Sequence, residues 1–253
     1  MNIILTIAKN TFKETVRDRL FFAILGVALL FIAGSLIFGS ISLGQDVKIV
    51  TDFGLAGVYL FSILIAIFLG TNLIYKELEQ RTAYIILSKA VTRTQFIIGK
   101  FLGLCETLLV ANLIMSVVYI PIVWYMSGFF PKIALLAIGF QYLETIVFIA
   151  LTILFSTFAS PIASAIYAIM VFIIGHSLGM LPDLAKKATV IGKNLYLALY
   201  YLFPNLDKFN IRLEASHNLS VPPYLIAFTA LYGLIFVALF IMLAALALRQ
   251  QDI

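Results

Sequence analysis

Charged side chains are scarce in this sequence. Asp, Glu, Lys and Arg make up 11% of its 253 residues, against about 25% in an ordinary soluble domain. Hydrophobic residues make up 63%, and the mean hydropathy is +1.10. So little charge cannot cover a water-facing surface. That excludes a soluble globular domain and predicts an integral membrane protein. Cysteine is nearly absent. The single Cys105 lies in an apolar run, which excludes an intrachain disulfide and a cysteine metal site; no dedicated metal cage is expected. A GxxxxGK[ST] phosphate loop is missing too. The one GK pair, Gly99-Lys100, is followed by Phe101 and lacks the upstream glycine. No internal repeat or low-complexity tract is visible. A cleavable signal peptide is not expected, because Lys9, Lys13, Glu14, Arg17, Asp18 and Arg19 crowd the first turns. The net charge of +5 is small and reports topology rather than nucleic-acid binding.

What the sequence does have is long apolar runs. A crossing helix needs about 20 apolar residues, and the charges punctuate six such runs: 20–40, 53–75, 101–126, 134–158, 162–181 and 224–248. The stretch from Ile133 to Leu181 is too long for one helix. Ser160-Pro161 divides it, since proline restricts the residue before it and suits the first turn of a new helix. The expected fold is therefore all-α and membrane-embedded, a single domain over 1–253. It comprises six transmembrane helices, an N-terminal amphipathic helix over 1–19, a cytoplasmic segment over 76–100, and short outer helices within 182–223. Lys and Arg set the orientation. Lys9, Lys13, Arg17 and Arg19 precede the first span, and Lys76, Arg81, Lys89, Arg93 and Lys100 follow the second, while the loops after spans one and three hold only Lys48 and Lys132. Both termini are predicted cytoplasmic. The long outer segment carries five basic residues, but long loops obey the rule weakly.

The stretch GHSLG, Gly175 to Gly179, matches the G-x-S-x-G pattern of serine hydrolases. That chemistry needs a strand before the serine, a helix after it, and acid and histidine partners later in the chain. Here the motif follows AIYAIMVFII inside a predicted membrane helix, and His217 in the outer loop is the only other histidine. Small residues in a membrane helix ordinarily serve close packing, so Ser177 is not expected to be a nucleophile.

Two cytoplasmic segments carry more information. In NIILTIAKNTFKETVRDR, Ile4, Leu5, Ala8, Phe12 and Val16 form one helical stripe, with Lys9, Lys13 and Arg17 on the adjoining face. Such a helix lies in the interface, either as a simple anchor or as an elbow that seats the first span. In YKELEQRTAYIILSKAVTRTQFIIGKFLG, the run Ala83 to Leu87 is too apolar for a solvated linker. Thr92 and Gln95 form a capping-box pattern, predicting a helix from Arg93 into the third span. Glu79 to Ser88 fits a short helix along the membrane. It suits either docking into a groove of another protein or dipping into the headgroups.

This loop resembles the one between the second and third helices of ABC-2 type permeases, the membrane subunits of type V-like ABC transporters. The matching positions are Glu79, Thr82, Tyr84 to Leu87, Thr92-Arg93 and Gly99-Lys100. AKNTFKETVRDR looks like the elbow helix of the NosY-like branch. FSTFASPIASA resembles the turn between helices four and five, and YYLFPNLDKFN the segment before the last helix. Arg81 stands where a glycine often precedes the threonine, and Ala90-Val91 where a proline often precedes the S/T-R pair. The resemblance implies that 76–100 is a coupling helix that fits a cleft in a separate ATPase subunit, with Glu77, Glu79, Arg81, Thr82, Tyr84 and Arg93 as the contact residues. It implies that ATP and Mg are bound by that partner and that this chain is no enzyme. It also implies a second permease copy, identical or related, and a place in the cytoplasmic membrane of a prokaryote.

Glu106 and Glu144 fall inside predicted spans, where a central charge costs roughly 2.5–3.5 kcal/mol on insertion scales. Each is a candidate for a substrate or proton pathway, or for a hydrogen bond to a neighbouring helix. His176 lies near the outer end of span five, with packing the simpler reading. The outer segment interleaves Tyr196, Tyr200, Tyr201, Phe203 and Phe209 with Lys193, Asp207, Lys208 and Arg212. It suits an interfacial belt, a cap over an exit, or a dock for an extracytoplasmic partner. The first functional expectation is export of a hydrophobic or amphipathic substrate, driven by the partner ATPase. The alternatives are ATP-driven mechanotransmission to an extracytoplasmic partner, a secondary transporter using Glu106 or Glu144, and, last, an intramembrane hydrolase.

Overall fold

The structure, a computed structural model, describes residues 3–41, 44–79, 91–187 and 190–250. Every regular element among them is helical: α1 (Ile3–Val16), α2 (Arg19–Ser40), α3 (Asp46–Glu79), α4 (Arg93–Ser127), α5 (Lys132–Ser156), α6 (Pro161–Ser177), α7 (Leu181–Lys187), α8 (Val190–Leu202), α9 (Arg212–Ser216) and α10 (Pro223–Gln250). Single 3₁₀ turns lie at Leu178–Met180 and Leu206–Phe209. Six helices are long and apolar enough to cross a membrane: α2 to α5, α10, and α6 taken with the turn and α7 that continue it. The chain is an all-α integral membrane protein.

Local chemistry sets the helix starts. The Asp18 side chain accepts from the Leu20 N–H at 2.8 Å and caps α2. Thr92 and Gln95 form a full capping box that starts α4, satisfying two donors the first turn cannot pair internally. Ser160 caps α6, with Pro161 as its first residue. Gly128, in the left-handed region at φ 75, closes α4 through its N–H to the Trp124 carbonyl at 3.0 Å. α3 has 34 residues, about 50 Å of helix, and so outruns a hydrocarbon core of about 30 Å. It begins at Asp46, before the apolar run over 53–75, and it ends at Glu79, beyond that run. Charges mark where hydrocarbon stops; the backbone ladder runs on into the headgroups.

α3 and α5 are the most enclosed helices, while α2, α6 and α10 turn much of their surface outward. Packed between them are Tyr119, Phe96, Phe140 and Phe148. Tyr119 donates its hydroxyl to the Thr51 carbonyl at 3.0 Å, so the buried ring carries no orphaned polar atom. Leu30 (75% exposed), Val117 (73%) and Ile162 (77%) face outward, as expected for side chains that meet lipid or a second subunit.

The amphipathic α1 packs along the start of α4. Its buried residues are Ala8, Thr11 and Thr15; of the expected Ile4–Leu5–Ala8–Phe12–Val16 stripe, Ala8 is buried, Ile4, Phe12 and Val16 are half-buried, and Leu5 is 59% exposed. Small side chains face α4 because the two backbones come very close; the larger apolar groups flank the contact.

Candidate functional site

Two ends of the bundle hold polar side chains that need an explanation. At the end formed by α1, the close of α3 and the start of α4, Gly99, Gly103 and Thr107 recur at i+4 and make a stripe with almost no side chain. A Cβ on Gly103 would lie 2.6 Å from the Ala8 carbonyl oxygen, and one on Gly99 would lie 2.7 Å from Ile7. The Thr15 and Thr107 hydroxyls hydrogen-bond at 2.5 Å and close the row. This is the small-xxx-small packing of membrane helices, here used to fasten the elbow.

Beside it, the Lys100 ammonium makes an ion pair with Glu77. Lys100 is 4% exposed, so the pair crosslinks α3 and α4 in a medium of low dielectric. Arg93 Nη1 donates to the Leu248 carbonyl at 2.8 Å, tying the start of α4 to the last turn of α10, where a cation also complements the helix dipole. Glu79 is exposed. The expected ATPase-contact residues Arg81, Thr82 and Tyr84 lie outside the described residues, as does the body of the predicted coupling helix. The i+4 spacing of Gly99, Gly103 and Thr107 was a readable signal for the elbow contact; nothing local announced that Lys100 would meet Glu77.

At the opposite end, three helices converge on one polar cluster. The Tyr59 hydroxyl on α3 donates to Glu144 Oε1 on α5 at 2.5 Å and sits 2.6 Å from His176 Nε2 on α6. His176 Nε2 is 3.0 Å from the same carboxylate oxygen. Glu144 is 1% exposed, so its intramembrane placement is accounted for by partners on two neighbouring helices. Phe172, one turn before His176, holds the imidazole edge-on at 4.7 Å between ring centres. Gln141 donates to the Leu55 carbonyl at 3.3 Å, and its buried Oε1 has no partner among the described residues. Glu106, by contrast, is exposed on α4, on the side that carries Leu109 and Leu113. It points out of the bundle rather than into it.

The outer segment is built onto this cluster. Leu206, Phe209, Ile211 and Ala215 are buried. The Lys208 ammonium lies 4.2 Å from the Tyr232 ring centre and within 6 Å of Tyr200 and Phe228, a cation–π seat. The Arg212 guanidinium lies over Tyr59 at 5.8 Å. GHSLG serves the same packing. A Cβ on Gly175 would meet the Leu206 side chain at 2.7 Å and the Pro204 carbonyl at 2.9 Å. Ser177 Oγ donates to the Ile173 carbonyl at 2.8 Å within its own helix, and no strand precedes it among the described residues. Ser177→Ala is expected to shift stability by no more than about 0.5 kcal/mol and to leave labelling by a fluorophosphonate unchanged at background. Labelling that disappears with the substitution would contradict this.

No curated protein matches the chain. The polar groups at both ends lock helices together, and the family model for ABC-2 family transporter proteins matches residues 5–253. The chain therefore belongs to the ABC-2 transporter family, as a multi-pass membrane subunit of an ABC transporter, a family that works with an ABC ATPase.

Proposed function

We propose that this chain couples ATP hydrolysis by a separate cytoplasmic ATPase subunit to the export of a hydrophobic or amphipathic substrate, working as a pair with a second permease copy. The observation that carries this is the fastening of both flanks of segment 80–90. Glu77 before it is paired with Lys100, and Arg93 after it is bonded to the end of α10. Force applied to that segment is thus delivered to α3, α4 and α10, and through Gly99 and Gly103 to the elbow. In this reading Glu79, Arg81, Thr82 and Tyr84 meet the ATPase, which binds ATP and Mg; Glu77 and Arg93 transmit. The termini and the 80–90 segment are cytoplasmic, in the cell membrane of a prokaryote, in keeping with the basic residues around them.

The test is co-purification in mild detergent with candidate ATPases, for the native chain and for Glu79→Lys/Arg81→Glu/Arg93→Glu. An ATPase retained by the native chain and lost from the variant is the expected result. If no ATPase binds, and the purified chain alone moves solute or protons, the reading fails. Tyr201 at 76% and Leu213 at 66% exposure leave apolar surface on the outer segment. They support the second reading, in which the same stroke remodels an extracytoplasmic partner. ATPase binding without export of any substrate, but with a partner captured at 182–223, would select it.

A further inference from the structure

A cavity of about 410 Å³, a size typical of small-ligand sites, adjoins the pocket that holds Tyr59, Glu144 and His176. Lys48 and Asp52 line it from α3, Arg212 and Asn210 from the outer segment, with Ile49 and Phe53 supplying apolar wall. A second, far smaller pocket holds Glu144, His176 and Gln141, and it shares Asn210 and Arg212 with the first. Arg212 therefore forms the floor between them. It is held from one side, where its Nε donates to Asn210 Oδ1 at 3.3 Å and its guanidinium rests over Tyr59.

The charges in the cleft are arranged unusually. Lys48, Asp52 and Arg212 form no ion pair with one another or with any other described residue. Two cations and one anion thus border one half-enclosed space. A planar guanidinium with a lysine nearby suits a phosphate, and the carboxylate of Asp52 suits an ammonium group. The wall continues onto the apolar face of the bundle. Phe53, which lines the cleft, stacks on Phe38 of α2 at 4.9 Å between ring centres, and Phe38 is 48% exposed. A ligand with its polar group in the cleft could lay a hydrocarbon chain along this pair of rings without leaving the membrane.

We propose that this cleft binds the headgroup of an outer-leaflet phospholipid carrying both phosphate and ammonium, with Arg212 and Lys48 on the phosphate, Asp52 on the ammonium, and an acyl chain along Phe53 and Phe38. The leaflet rests on the orientation proposed above; the binding chemistry does not. The bound headgroup would bridge α3 and the outer segment across the lid of the Glu144–His176 cluster.

The experiment is native mass spectrometry of the delipidated full-length chain in detergent, titrated with phosphatidylethanolamine, phosphatidylglycerol and soluble glycerophosphoethanolamine. Phosphatidylethanolamine is expected to bind, and Arg212→Gln and Lys48→Gln each to weaken it by about tenfold, the scale of one charge-assisted contact. Asp52→Asn should weaken phosphatidylethanolamine but not phosphatidylglycerol, and Lys186→Gln, outside the cleft, should change nothing. Lys48 and Asp52 are exposed, so their variants keep the test sound if Arg212→Gln fails to fold. Equal binding by all variants overturns the site, and soluble glycerophosphoethanolamine competing as well as the lipid overturns the lipid in favour of a free phosphate compound. The leaflet is tested separately with Lys193→Cys, on the exposed outer segment and outside the cleft, and a membrane-impermeant thiol reagent on intact cells. Labelling supports the outer leaflet, and protection overturns that assignment alone. ATPase co-purification, measured on the same variants, keeps a failure of the coupling reading distinct from a failure of this one.

Discussion

Lys100→Met lowers the thermal stability of the detergent-purified chain, by the equivalent of about 3–5 kcal/mol if the pair behaves as a fully buried one and toward the lower figure given that 15% of the Glu77 side chain remains exposed. Methionine fills the volume of the lysine stem, so packing is largely kept and the loss is electrostatic. What remains is the Glu77 carboxylate deprived of its ammonium, in a site where Lys100 itself is only 4% exposed. Water cannot replace the lost partner well at that depth. The double variant Glu77→Gln/Lys100→Met should recover most of the stability, because neutral groups of similar volume replace a buried pair at little net change. It should not recover stimulation of a co-purified ATPase, if the pair is part of the transmission path from segment 80–90 to α4. Melting curves of the two variants in one detergent check the first point. A single variant as stable as the native chain, or a double variant worse than the single, would refute the claim that this pair is buried and structural.

Gly103→Leu detaches the elbow. The α1 backbone lies where that side chain must go: the Ala8 carbonyl oxygen and Thr11 Cβ both sit 2.6 Å from the position of a Cβ. Neither is the movable end of a flexible chain, so no rotamer change relieves the clash and α1 must shift. Overpacking of this kind costs about 1–3 kcal/mol and occasionally more, and the Thr15–Thr107 hydrogen bond would be lost with it, at about 1 kcal/mol. Gly139 on α5 is the natural control. A Cβ there meets nothing within 4 Å, and Gly139→Ala should be neutral or slightly stabilising, since alanine favours a helix by up to about 1 kcal/mol over glycine. Opposite signs at the two positions are the expected result, read as melting temperatures; a Gly103→Leu chain as stable as native would mean that α1 does not pack here.

The elements that a short window determines were legible in the residues. Thr92 with Gln95 gave the start of α4, and Ser160-Pro161 gave the break between α5 and α6, because capping needs only neighbours along the chain. Charge scarcity gave the membrane class. The same reasoning found Ala8 of the buried face of α1 but not Thr11 and Thr15. Helical periodicity ranks positions by apolarity, whereas close approach of two backbones selects for smallness, and Thr11 and Thr15 are small before they are polar. It also placed Glu106 and Glu144 together as intramembrane carboxylates. The fold separates them: Glu144 is sealed among Tyr59 and His176, and Glu106 faces out beside Leu109.

By itself, the sequence determined that the chain lives in a membrane, that it crosses with six helices, and that it carries no phosphate loop of its own. Those properties are additive over residues or local in the chain, so composition and short patterns suffice. Only the tertiary structure decided that Lys100 meets Glu77 across 23 positions, that Tyr59 on α3 and His176 on α6 share one carboxylate on α5, and that Arg212 roofs them. Such contacts depend on how helices rotate and slide against one another. That choice is made by steric fit summed over whole interfaces, and no single residue encodes it.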